Sequence, residues 1–180
     1  MFYAKTVFFF CFILLMGCAG VMDDLNPSAT DERPFIEDGS IGPYVKQIAP
    51  DFTVSDTLDN IVTLSADLAN KEAIVLYFTM WCPVCDSHMS HMRTAIIPNF
   101  PSVQFFMVDY VTGEIDYSRS SQLANGYSDF TVLVDENQSI LNQYKATMGT
   151  TVVIDRNGVI AMNEDYKDGS RLREVLESLP

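Results

Sequence analysis

Positive charge is scarce in this chain. Eleven lysines and arginines stand against 24 aspartates and glutamates in 180 residues, for a formal net charge of −13. The basic residues are scattered and form no run, which excludes a nucleic-acid partner held by electrostatics. The acidic balance also disfavours adhesion to anionic lipid heads. Cysteine is scarce too: Cys11, Cys18, Cys82 and Cys85 are the four, too few for the disulfide framework that staples small secreted domains. No internal repeat is visible. The apolar stretch Val7–Met16 has ten residues, where a membrane-spanning helix needs about 20. What is present is a hydrophobic fraction of 48%, enough for a real core, in a length that suits one domain.

The first residues read MFYAKTVFFFCFILLMGCAG. Lys5 is a short positive region and Val7–Met16 an apolar one, the pattern of a signal peptide. The end of that run, Leu15-Met16-Gly17-Cys18, resembles a bacterial lipobox, in which the cysteine becomes the lipidated first residue. Residues 1–17 are therefore expected to be a lipoprotein-type signal peptide, with Cys18 carrying the lipid. Each buried CH₂ of an acyl chain contributes ~0.8 kcal/mol, so two or three chains anchor a protein stably. Residues 18–47 hold acids, Pro, Gly, Ser and Thr with few apolar side chains, and are expected to be a flexible acidic tether. The expected location is the cell envelope, lipid-anchored to a bacterial membrane, with the domain outside the cytoplasm.

The folded part is expected over 48–180. Phe52–Ser55 and Ile61–Leu64 alternate around Asp-Thr-Leu-Asp-Asn and read as a hairpin. Ala73–Thr79 is a continuous apolar run, as in a strand buried on both faces. From Pro83 the pattern turns helical, with Val84, His88, Met92 and Ala95 near one face and Pro98 stopping the run. Val103–Val108 reads as another buried strand, 116–125 as a helix, Phe130–Val134 as a short strand and Asn137–Tyr144 as a helix. Thr151–Ile154 and Val159–Met162 flank Asp155-Arg-Asn-Gly158, a hairpin turn signal. A last helix starts near Ser170. Strands alternating with helices, then a closing hairpin and helix, argue an α/β sheet with at least one parallel pair.

Residues 78–92 read FTMWCPVCDSHMSHM. With Cys11 removed and Cys18 lipidated, Cys82 and Cys85 are the remaining pair. They fall where a buried strand ends and a helix begins. The first turn of a helix offers unpaired N–H groups and the positive end of the macrodipole, which stabilise a thiolate below the free value of ~8.5. Pro83 suits that first turn, where its missing N–H costs nothing. The expected division is Cys82 as the attacking thiol and Cys85, one turn further in, as the resolving thiol.

A metal site is the rival for the same residues. Cys82, Cys85, His88 and His91 are each three apart. On a helix they fan through about 180° and rise about 13 Å, so one helix cannot wrap them around a zinc whose ligands converge at about 2.0–2.3 Å. A site using Cys82, Cys85, His88 and Met89, with Met80 and Met92 nearby, would suit Cu(I). Haem attachment is excluded, because Asp86 rather than histidine follows the C-x-x-C.

Three motifs carry a family resemblance. Ala49-Pro-Asp-Phe52 matches an A-P-D-F opening, Trp81-Cys-Pro-Val-Cys85 a W-C-x-x-C site after a buried strand, and Thr150-Thr-Val-Val-Ile-Asp155 through Gly158 a T-T-x-x-I-D-x-x-G strand and turn. On these the chain, over roughly 48–180, resembles the thioredoxin-fold redoxins of the AhpC/TSA–redoxin superfamily, nearest to the membrane-attached TlpA/ResA-like thiol–disulfide oxidoreductases. The resemblance implies a thioredoxin-like α/β fold with a central mixed β-sheet flanked by helices and an N-terminal β-hairpin extension. It implies a redox-active pair, Cys82 and Cys85, with Trp81, Pro83, Val84, Gly149 and Thr150 as active-site neighbours. The implied partners are protein thiols and disulfides and a redox donor, with no cofactor.

Two positions depart from the family pattern. Gly149 stands where the family has a cis-proline, and a trans peptide is expected there, since a cis bond without proline costs ~2.5–4 kcal/mol. Leu76 stands where thioredoxins bury an acid that takes the proton of the resolving thiol, so that role falls to water or to another group such as Asp86 or His88. A second resemblance, of Thr79-Met-Trp-Cys82 to the T-x-x-C of peroxiredoxins, implies a thiol peroxidase with Arg156 as its activating cation. There, Val75 stands where that motif has proline.

Overall fold

A computed structural model describes residues 36–179. The expected signal peptide over 1–17, the expected lipidation site Cys18 and the expected tether as far as residue 35 lie outside the described residues.

The chain runs β1 (Thr53–Ser55), β2 (Ile61–Thr63), α1 (Leu64–Leu68), β3 (Ala73–Thr79), α2 (Pro83–His91), β4 (Val103–Asp109), α3 (Ile115–Ala124), β5 (Thr131–Val134), α4 (Ser139–Gln143), β6 (Thr150–Asp155), β7 (Ile160–Asp165) and α5 (Ser170–Glu177). β1 and β2 form the expected N-terminal hairpin. Its turn is tied by the Asp56 carboxylate, which accepts from the backbone N–H groups of Leu58 and Asn60. The other five strands form one sheet in the order β5-β4-β3-β6-β7. β3 pairs in parallel with β4, and β4 with β5; β6 runs antiparallel to both β3 and β7. This mixed sheet with flanking helices is the thioredoxin-like fold expected from the motifs.

β3 is central, and all seven of its residues are buried, which is why its sequence shows no alternation. Side-chain direction still alternates. Ile74, Leu76 and Phe78 join the layer under the hairpin and α4 with Phe52, Leu133, Tyr144 and Val152. Ala73, Val75 and Tyr77 join the opposite layer with Met89, Met92, Ile96, Leu172 and Val175 from α2, its continuation and α5. Burying side chains such as these from water contributes roughly 1.5–3 kcal/mol each.

The structure corrects three expectations. Met92 is buried as expected, but the rest of the buried face of α2 and its continuation is Cys85, Met89 and Ile96, not Val84, His88 and Ala95; Val84 is 51% exposed. The stripe lies one position later, because Cys85 must point inward beside Tyr77. Pro98 does not stop the helix at once. After His91 the chain widens into a π turn over Met92–Ile96 and tightens into a 3-10 turn over Ile97–Asn99, in whose first turn Pro98 is tolerated. Residues 36–47, assigned above to the tether, already pack on the domain. The Lys46 N–H donates to Ile160 at 2.8 Å, the Ile160 N–H donates to Gln47 at 2.9 Å, and the Gln47 side chain is buried between Ser40 and Tyr44. They cover the free edge of β7, which would otherwise expose unpaired backbone. Among the described residues no helix is long and apolar enough to cross a membrane.

Candidate active site

Where β3 ends, three residues turn a buried strand into a helix. The Thr79 hydroxyl accepts the Trp81 N–H at 3.2 Å. Trp81 takes a left-handed backbone, φ +57°, which costs a residue with a Cβ roughly 1–2 kcal/mol. Cys82 returns to extended geometry as the N-cap, and Pro83 opens the helix. The strain at Trp81 is held by its indole, whose N–H donates to Asp109 Oδ2 at 2.7 Å. Asp109 ends β4 directly opposite Thr79. Its buried carboxylate also accepts from Ser118 Oγ at 2.7 Å, from Val111 N at 3.1 Å, from Thr112 N at 3.2 Å and from the Thr112 hydroxyl.

Both cysteines are free thiols. Their sulfurs lie 2.8 Å apart, and the Cys85 N–H donates to Cys82 Sγ at 3.2 Å. The Cys82 sulfur thus does what a serine or aspartate oxygen does at an N-cap. Cys85 is fully buried while Cys82 is partly exposed. Burial pushes the Cys85 thiol up, but hydrogen bonding from Cys82, from the Met80 and Cys82 backbone and from Thr79 outweighs it, and its pKa is lowered. A proton shared across 2.8 Å belongs to the pair rather than to either sulfur. Access then decides which sulfur attacks, and only Cys82 faces solvent. Pro83 and Val84 are exposed beside it.

Gly149 sits at the other wall. Its N–H donates to the Phe78 carbonyl at 2.9 Å, and its carbonyl accepts from Tyr166 at 2.8 Å. Its φ is +85°, and no peptide bond among the described residues is cis. Proline would need φ near −65° and would lose the bond to Phe78, so this loop is built differently from the family's and is not merely missing its ring. The space over Gly149 looks onto His88, whose ring lies 3.9 Å from where a Cβ would stand. Thr150 is buried, its hydroxyl accepting from Thr147 N at 2.9 Å.

Of the set Cys82, Cys85, His88 and Met89, Met89 is buried in the core, and His88 Nδ1 is 3.0 Å from the Tyr77 hydroxyl. Among the described residues no three His, Cys, Asp or Glu side chains gather as a metal would require. Arg156 follows Asp155, which pairs with Ala73 at the opposite end of β3. A seven-residue strand puts it about 20 Å from the cysteines, where it is exposed beside Glu72. It cannot activate Cys82. Asp86 is exposed, and its carboxylate accepts from Tyr127 at 2.6 Å, away from Cys85. Asp109, Tyr77 and Tyr166 went unread in the sequence; only the strand register brings the first of them to Trp81.

Comparison with known proteins agrees with the fold. Among solved structures, the chain is similar to a candidate protein disulfide isomerase from Bacteroides thetaiotaomicron, with 22% identity, TM-score 0.64, and coverage of 76% of this chain and 89% of that one. It is similar to peroxidoxin BcpB from Mycobacterium tuberculosis, with 18% identity, TM-score 0.60, and coverage of 75% and 95%. It is also similar to a secreted disulfide oxidoreductase of Mycobacterium tuberculosis described as homologous to E. coli DsbE, with 20% identity, TM-score 0.56, and coverage of 71% and 96%. No curated protein matches the chain. A family model matches residues 45–163, from the packed segment ahead of the hairpin to the middle of β7, and by that match the chain belongs to the AhpC/TSA family.

Proposed function

We propose that the chain is a thiol–disulfide oxidoreductase working outside the cytoplasm, of the membrane-attached TlpA/ResA-like kind, which reduces protein disulfides through Cys82 and Cys85. One observation carries this reading: an accessible sulfur caps a helix at 2.8 Å from a buried second sulfur. Cys82 as thiolate attacks a substrate disulfide, forms a mixed disulfide and releases one substrate thiolate. Cys85 then attacks Cys82, the pair closes to a disulfide, and the second substrate sulfur leaves. A donor dithiol restores the pair. Direction follows from the reduction potential against the compartment. The thiol peroxidase alternative lacks its cation, since Arg156 stands at the far end of β3.

The test is a titration of the protein in glutathione redox buffers, counting free thiols by mass. Cys82 and Cys85 are expected to lose and regain their thiols together in one reversible two-electron transition. Two independent transitions, or sulfinic acid without disulfide, would end the proposal. Anchoring through lipid on Cys18 belongs to the same proposal, and the apolar run Val7–Met16 and the lipobox-like Leu15-Met16-Gly17-Cys18 support it. Cys18→Ala should move the protein from the membrane fraction to the soluble one; retention in the membrane fraction would point to an uncleaved anchor.

A further inference from the structure

Cys85 must lose its proton to resolve a mixed disulfide. Leu76, where thioredoxins bury an acid, packs in the hairpin-side layer. The next residue, Tyr77, points the other way, toward α2, and is fully buried. Its hydroxyl is 3.0 Å from Nδ1 of His88, which follows Cys85 by one turn of the same helix. The His88 ring stands edge-on to Tyr77 and 4.7 Å from the ring of Tyr166. The Tyr166 hydroxyl in turn is 2.6 Å from His91 Nδ1. After burial, the charge of the neighbouring Cys85 sulfur is the largest influence holding the Tyr77 hydroxyl above its ordinary range. Burial first, then the His91 charge, holds His88 below its ordinary 6.5, so the imidazole is neutral at neutral pH and able to accept.

We propose that Tyr77 and His88 are the proton relay of the resolving cysteine, with the Tyr77 hydroxyl against Cys85 and His88 Nδ1 as the acceptor behind it. The inference rests on thiol–disulfide exchange at Cys82 and Cys85. The Cys85 S–H proton passes to the Tyr77 oxygen as the Tyr77 proton passes to His88. The Cys85 sulfur forms its bond to Cys82, and the bond from Cys82 to the substrate sulfur breaks. The substrate leaves as a thiolate and takes up the proton that His88 then gives back to solvent. No electrons enter beyond the two already held by the thiol pair. The titratable groups around the relay are Cys82 and Cys85 from the start of α2, His91 from its end, Tyr166 and Asp168 after β7, and Arg173 from α5.

The full reduced chain is mixed with excess 5,5′-dithiobis(2-nitrobenzoate) in a stopped-flow instrument. Attack by Cys82 releases one thionitrobenzoate at a rate that scales with reagent. Resolution by Cys85 releases a second at a rate that does not. In Tyr77→Phe and in His88→Gln the second phase should slow about 100-fold near pH 6.5, the low end for a positioned proton acceptor. Its pH profile should move upward, the first phase should hold within about twofold of the parent chain, and the double variant should be no slower than the slower single one. His88 is only half-buried, so His88→Gln carries the test even where Tyr77→Phe unfolds. An unchanged second phase in His88→Gln, or both phases slowed by the same factor, would overturn the relay. A parent chain with no reagent-independent second phase would instead overturn the exchange chemistry beneath it.

Discussion

Cys82→Ser should abolish disulfide reduction, with a loss of at least about a thousandfold, as expected when a nucleophile is removed. Cys85→Ser should lose turnover as completely while keeping the first chemical step. The difference follows from burial. Cys82 is the partly exposed sulfur and Cys85 is fully enclosed, so a substrate disulfide reaches only Cys82. Without Cys85 the mixed disulfide has no resolving partner within 2.8 Å and should accumulate. Insulin reduction driven by dithiothreitol reads turnover, and non-reducing gels with mass analysis read trapped adducts. Adducts on Cys85 in Cys82→Ser, with none on Cys82 in Cys85→Ser, would invert the roles. Activity of Cys82→Ser equal to that of the parent would remove the oxidoreductase proposal.

What the sequence made legible was local. Ala73–Thr79 could be read because a strand buried on both faces needs an unbroken apolar run. Asp155–Gly158 could be read because a tight hairpin needs its turn residues in order. The position of Cys82 and Cys85 followed from the change of pattern at Pro83. What stayed hidden depends on residues distant in sequence. Nothing in Val103–Asp109 marks Asp109 as the anchor of Trp81; it becomes so because β3 and β4 pair with Thr79 opposite Asp109. Tyr77 reads as one more apolar residue of a buried strand, and only side-chain alternation turns it toward His88 while Leu76 faces away. The shift of the α2 stripe by one position has the same source. Periodicity alone allowed Val84 inward, whereas the pair of sulfurs requires Cys85 there. The segment 36–47 was misjudged because its composition is that of a linker, and its order comes from backbone bonds to β7 that composition does not encode.

Asp109→Ala should be the most destabilising single change among the site's supporting residues. The carboxylate accepts from Trp81, Ser118, Val111 and both the backbone and hydroxyl of Thr112. Each buried donor left without a partner costs about 1–3 kcal/mol. Some of these groups will find each other or water, so a total loss of about 3–5 kcal/mol is expected. Asp109→Asn separates hydrogen bonding from volume. The asparagine amide must turn its NH₂ toward one set of donors. If it takes the Oδ1 place it meets two backbone N–H groups, and if it takes the Oδ2 place it meets the Trp81 indole N–H. The serine and threonine hydroxyls can rotate to accept, but the indole and the backbone cannot. About 2–3 kcal/mol is expected. Trp81 is the only tryptophan in the chain, so its emission reports on the anchor directly. In both variants the native-state emission should shift toward that of a solvent-exposed indole, and the urea midpoint should fall with an unchanged slope. The left-handed turn at Trp81 sets the cap position of Cys82, so alkylation of Cys82 should slow in the folded variants too. An unfolding free energy from the urea titration within about 0.5 kcal/mol of the parent, with unaltered emission, would show that Trp81 is held by packing and that Asp109 serves only its own loop.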